Sequence, residues 1–206
     1  MKTQRLKTAK NNSCALPAAA WLAASALGLL LAACASPHPP PIVTAPPTPP
    51  PDIKAPVVPP DLLVPPGNKV SFRAYAVGVQ IYDWKINPTN PAQSAWVLKA
   101  PTAALFDGAG QLVGSHYAGP TWEIKRGRRV EGTIEGVVLR RSMIDLNAVP
   151  WLLLQRTETG SGIFTNTTYI QRVKTTGGLA PTTAGEHAGQ QARVPYTAEY
   201  FFYRPE

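Results

Sequence analysis

Between Ala35 and Pro66, fourteen of 32 residues are proline, with unbroken triplets at 39–41 and 49–51. Proline lacks the backbone N–H that helices and sheet ladders need, and its ring fixes φ. The stretch therefore reads as polyproline II or irregular chain. It separates a leader from a body. At about 3.1 Å per residue it could reach on the order of 100 Å, which suits a spacer. A ligand for a proline-recognising domain is the competing reading.

The leader opens with Lys2, Arg5, Lys7 and Lys10 and turns almost wholly apolar over residues 15–33. This is the order of a secretory signal. It ends Leu31-Ala32-Ala33-Cys34, the pattern of a bacterial lipobox. Small residues precede the cut, the Cys34 thiol takes a diacylglyceryl group, and the new amino terminus takes a further acyl chain. Several acyl chains anchor stably where one binds marginally. An uncut spanning helix is the alternative, but Pro17 and the placing of Cys34 favour the lipobox. The expected segments are a signal over 1–33, lipidated Cys34 and tether over 34–66, and one domain over 67–206. Ala35, rather than Asp, after the cysteine points to an outer-membrane destination in a cell with two membranes.

The formal charge of +8 is inflated by the leader, which holds four basic residues and no acid. Sixteen basic and twelve acidic residues remain, a balance too even to argue for a nucleic-acid partner. The only cysteines are Cys14 and Cys34, so the body has no disulfide and no cysteine nucleophile. Its histidines, His116 and His187, show no metal-ligand spacing. No metal or cofactor is expected.

After Gly67 the pattern alternates. Phe72, Ala74, Ala76, Tyr82, Trp84 and Ile86 share one face. Tyr75, Val77, Val79 and Ile81 make the other face apolar too, which predicts cover on both sides there. Further strands are expected at 96–99, 103–106, 111–117, 121–125, 128–139, 164–173 and 194–203. Trp151-Leu152-Leu153-Leu154, opened by Pro150, reads as a fully buried strand. Asp107-Gly108-Ala109-Gly110 and Arg126-Gly127 are turn chemistry. No helical period stands out. The fold class is all-β, an antiparallel sandwich or barrel of roughly eight to ten strands.

Gly108, Gly110 and Gly114 are spaced one residue too widely for a dinucleotide fingerprint, and no helix pattern follows. His116 is the strongest candidate for chemistry, with Asp107 or Glu123 as its orienting acid and Tyr82 or Tyr117 nearby. Ser115 adjoins it, but neighbours on a strand point to opposite faces. The competing reading is a buried structural histidine. Lys125, Arg126, Arg128 and Arg129, with Arg140 and Arg141, form the most distinctive charged feature. They suit an anionic glycan, lipopolysaccharide phosphate, nucleic acid or a protein partner, or simply a solvated hairpin tip, and the aromatics needed for stacking single strands are missing from this segment.

Six stretches carry a family resemblance. They are Val79-Gln80-Ile81-Tyr82, His116-Tyr117-Ala118-Gly119-Pro120-Thr121-Trp122, Pro150-Trp151-Leu152-Leu153, Thr168-Tyr169-Ile170-Gln171-Arg172, Thr176-Gly177-Gly178-Leu179-Ala180-Pro181 and the run from Val194 to Tyr203. Together they resemble an uncharacterised domain-of-unknown-function family of exported bacterial and fungal proteins. Some fungal members carry a malate-dehydrogenase label, for which this sequence shows no nucleotide-binding unit. The resemblance implies no activity or site. Relatives often have a cysteine where Trp84 stands and another near Ala184-Gly185-Glu186, which implies a disulfide lost here. They tend to an Asp-Gly-Ser turn where this chain reads Arg126-Gly127-Arg128.

The functional expectation is a membrane-anchored envelope lipoprotein whose domain binds a partner or serves structurally, without catalysis. The alternative is a hydrolase-like enzyme centred on His116.

Overall fold

A computed structural model describes residues 53–206. The signal, Cys34 and most of the proline-rich stretch lie outside the described residues. Eight strands follow one another around a closed antiparallel barrel. They are β1 (Asn68–Lys85), β2 (Ala95–Phe106), β3 (Leu112–Tyr117), β4 (Thr121–Arg126), β5 (Arg129–Ser142), β6 (Trp151–Arg156), β7 (Tyr169–Gly177) and β8 (Gln191–Pro205). The 18-residue β1 pairs with β2 on one edge and β8 on the other, which closes the sheet. Among the described residues the only helical pieces are three-residue 3-10 turns, and no helix is long and apolar enough to cross a membrane.

The barrel resolves the expected class in favour of closure over a sandwich. Two expected strands merge, because β2 runs straight through Pro101. The short β3 pairs with β2 only from Ala103 to Phe106, so Pro101 sits where no ladder bond is asked of its missing N–H. One expectation fails. The outer face of β1 is not covered at its centre, and Val77 is 54% exposed. The apolar odd positions there reflect β-branched strand preference rather than a second packing layer.

The inward line of β1 continues through the lumen as expected, with Ala74 and Ala76 fully buried. Leu105, Trp122, Ile124, Ile134, Leu154 and Ile170 come in from the other strands. The lower end, at the β2–β3, β4–β5 and β6–β7 turns, is closed by aromatic rings. Phe164, from the short turn Gly162–Phe164, inserts there, 5.8 Å from Phe72 and 4.7 Å from Phe202 between ring centres.

The apolar run 151–154 is buried on both sides, as its composition suggests. The inward residues Leu152 and Leu154 join the lumen, while an extended strap covers the outer side. Residues 53–66 lie against β6, β7 and β8. Ile53, Val58 and Val64 pack on an outer cluster of Val173, Phe201 and Tyr203. Gln171 donates to the Leu62 carbonyl at 2.7 Å and accepts from the Tyr203 hydroxyl.

Trp84 holds the β7–β8 loop by packing. A Cβ at Gly185 would lie 2.5 Å from Cγ of Trp84, so the indole rests directly on that glycine. Trp96 meets Trp84 edge-on at 5.3 Å and donates its indole N–H to the Thr183 carbonyl at 2.8 Å. The 178–190 loop is thus held by two tryptophans where the family resemblance implies a disulfide.

Removing the lower plug should be costly. Phe164→Ala is expected to lower unfolding stability by about 3–5 kcal/mol, read from urea denaturation. A loss below about 1 kcal/mol would mean the ring does not close the barrel.

Candidate functional site

At the upper end the lumen opens into a cavity of about 410 Å³. Strand length explains the opening. The β3–β4 hairpin is too short to accompany β2, so Leu98 to Pro101 on one side and Ala118 to Pro120 on the other frame a gap in the wall. The floor is aromatic. His116 on β3 stacks on Trp122 of β4 at 4.5 Å with 12° between planes, and lies 5.0 Å from Tyr200 of β8. Val138, Leu152, Leu154 and Leu179 supply apolar wall.

The polar groups in this wall are unusual for a lumen. Gln80, His116, Trp122 and Tyr200 are at most 2% exposed, yet all border the cavity. The Nε2 of Gln80 and the indole N–H of Trp122 have no hydrogen-bond partner, while the Tyr196 and Tyr200 hydroxyls face each other and Tyr200 faces Arg172. Buried polar groups are nearly always satisfied, and each orphan costs about 1–3 kcal/mol. Arg172 on β7 faces the same space, with Nε and Nη2 donating to the Pro150 carbonyl at 3.2 and 2.9 Å. Tyr82 donates to the Gly178 carbonyl at 2.7 Å.

The His116 tautomer follows from its partner. Nδ1 lies 2.8 Å from the Thr121 carbonyl oxygen, which can only accept, so Nδ1 carries the proton and Nε2 is a free acceptor. Burial pushes its pKa down from 6.5 to about 3, against the upward pull of the Thr121 carbonyl and with help from the Arg172 charge. The ring is neutral at ordinary pH. Burial likewise raises the pKa of Tyr82, Tyr196 and Tyr200, with the Arg172 charge opposing it in each case. These phenols stay protonated.

The acids proposed for His116 lie elsewhere. Asp107 sits in the β2–β3 turn at the opposite end of β3, where its Oδ1 accepts from the N–H groups of Ala109 and Gln111. Glu123 pairs with Ser115, one residue from Trp122 on β4, so it faces outward, and it forms an ion pair with Lys125 at 2.5 Å. Tyr117 is on the outside as well. No Asp or Glu borders the cavity.

The basic cluster is divided. Lys125, Arg126, Arg128 and Arg129 are exposed at the lower β4–β5 turn, with Arg126 paired to Glu131 at 3.3 Å. Arg140 and Arg141 are near the upper end of β5, where Arg141 borders the cavity mouth. Among the described residues no group of three or more potential metal ligands exists.

A family described as a protein of unknown function (DUF3455) matches residues 65–204. The chain belongs to this family. No curated protein and no solved structure matches it. The function of this DUF3455 barrel must therefore be argued from its own cavity.

Gln80, Arg172, Tyr196 and Tyr200 were not singled out by sequence as site residues, although a signal was present. Gln80 lies on the even line of Ala74, Ala76 and Tyr82, and Arg172 is two residues from Ile170. A polar side chain on an otherwise apolar inward line is a group the fold buries deliberately.

A neutral buried histidine makes stability depend on acid. The folded pKa lies below the unfolded one, so the unfolded chain takes up the proton first and stability falls as pH drops from 6.5 towards 3. His116 alone should cost about 2 kcal/mol between pH 7.5 and pH 5. His116→Asn keeps a donor near Thr121 and should remove that component. Urea midpoints at the two pH values measure it, and parallel losses in both proteins would contradict the assignment.

Proposed function

We propose that the DUF3455 barrel binds a small organic molecule in its upper lumen, and that lipidated Cys34 holds it at the cell envelope. One observation carries the first half. Gln80 and Trp122, each with a buried N–H group that has no hydrogen-bond partner, line a single cavity of about 410 Å³ together with the buried cation Arg172. Eight-stranded barrels have a lumen that side chains can fill or that can hold one small ligand. In this one Phe164 and its neighbours pack the lumen below that cavity, and a separate hollow of about 560 Å³ lies at the lower rim beside Phe72, Val113 and Ile124. The upper cavity's mix of apolar wall and a few polar groups is that of a small-molecule site.

Hydrolysis at His116 draws no support from the surroundings of the ring. Its Nδ1–H serves a backbone carbonyl instead of an orienting carboxylate, and its low basicity suits a hydrogen-bond acceptor better than a general base. The envelope reading rests on the Leu-Ala-Ala-Cys pattern and the proline-rich stretch behind it. Residues 53–66 bind the outside of the barrel, so such a spacer would begin on a face away from the cavity gap.

Two measurements test these halves separately. The neutral dye N-phenyl-1-naphthylamine should brighten on binding the native protein, and Val138→Trp, which fills the cavity, should abolish the signal with little change in urea midpoint. An unchanged signal would remove the cavity from the account. In a bacterial host, Cys34→Ser should abolish incorporation of labelled palmitate and release the protein from membranes. Continued labelling would mean that the acyl chain is elsewhere.

A further inference from the structure

The cavity holds a cation and no anion. Arg172 is 9% exposed and is register-paired with Leu152 on β6 and Tyr200 on β8, so it stands inside the barrel. Two of its donor nitrogens share one acceptor, the Pro150 carbonyl. A guanidinium has five N–H groups in a planar fork, and beyond the Pro150 carbonyl and the adjacent Tyr200 hydroxyl donors remain for another acceptor. No Asp or Glu borders the cavity, and none of the ion pairs among the described residues includes Arg172.

One carbonyl is poor compensation for a buried full charge, whose desolvation penalty is several kcal/mol. The groups around it add donors. The Trp122 indole and the Gln80 amide, both of which line the cavity, each carry a buried N–H group without a partner. The site is short of negative charge and of acceptor oxygens together. Arg141 and Lys99 at the mouth add two exposed cations, the second near Asp83, that would draw an anion in.

We propose that the ligand is a small apolar carboxylic acid, its carboxylate held by Arg172 and its hydrocarbon body lying against Trp122, Val138 and Leu154. The fork of a guanidinium matches a carboxylate in two parallel hydrogen bonds. A phosphate monoester brings close to two charges to a lumen with one buried cation, and the apolar wall gives its remaining oxygens nothing. Size bounds the body. At about 30 Å³ per water-sized volume the cavity has room for roughly a dozen non-hydrogen atoms. An aromatic or medium-chain acid fits that space.

This inference rests on the reading of the cavity as a binding site, and the experiment separates the two. Calorimetric titration compares 4-phenylbutanoate with its neutral isostere 4-phenylbutanamide, on the wild-type chain and on Arg172→Met. The acid should bind wild type at least about tenfold more tightly than the amide. Arg172→Met should lose that preference and still bind the amide. It should also fold, with a urea midpoint at or above that of the unliganded wild type, because an apolar side chain replaces an unpaired buried charge. Equal affinities in wild type, or a preference that survives in Arg172→Met, would overturn the carboxylate assignment and leave the cavity reading intact. Failure of both compounds and of the neutral dye to bind would overturn both. A variant much less stable than wild type would show that Arg172 is compensated within the protein, which removes the premise.

Discussion

From the Asn68–Pro205 pair to the Asp83–Gln191 pair, β1 is hydrogen-bonded to β8, and this seam turns a meander into a tube. Everything else inherits its position from that closure. A closed barrel has no edge to protect, and its strand number fixes the width of the lumen. Once the width is set, each inward side chain either fills the space or lines what remains. Phe72, Phe164 and Phe202 fill the lower end, and the residues around Arg172 line the upper one. The cavity is therefore a consequence of where the large rings stop, and the short β3–β4 hairpin decides where it opens.

Much of the architecture was written in the alternation of the chain. The even line from Phe72 to Trp84 falls where period two puts it, the turns at Asp107-Gly108 and Arg126-Gly127 where turn chemistry does, and the doubly buried strand after Pro150 where the unbroken apolar run does. Alternation could not distinguish sandwich from barrel, because closure depends on β1 and β8, which lie more than a hundred residues apart. Nor could it tell that Val77 faces water, since an apolar residue on a strand is compatible with either a second layer or none.

The site was less legible, and the reason is geometric. Asp107 and Glu123 are close to His116 in sequence, but a strand separates neighbours by length and by face. Asp107 is left at the far rim and Glu123 on the outside. Besides Thr121 and Trp122 of β4, the buried polar residues that share the cavity with His116 come from β1, β7 and β8. Gln80 and Arg172 were each marked by a polar group on an apolar line, but a single strand does not reveal that two such lines converge. Trp84 shows the same limit in the opposite sense. From sequence the resemblance implies only a missing cross-link at that position, and the fold is needed to show the indole seated on Gly185 and holding that loop.

The strap and the lumen meet on β7, and this ties the side of the proposed anchor to the side of the proposed binding site. Gln171 faces outward and fixes Leu62, while Arg172 faces inward and stands in the cavity. Successive residues on one strand thus carry the two ends of the proposed architecture. The strap burials on Val173, Phe201 and Tyr203 stiffen the same pair of strands that position Arg172 and Tyr200. A guanidinium that must meet a carboxylate in two parallel bonds needs a fixed backbone, because a displacement of about 1 Å loses one of them. The strap supplies that rigidity from outside the lumen, where it costs the cavity no volume.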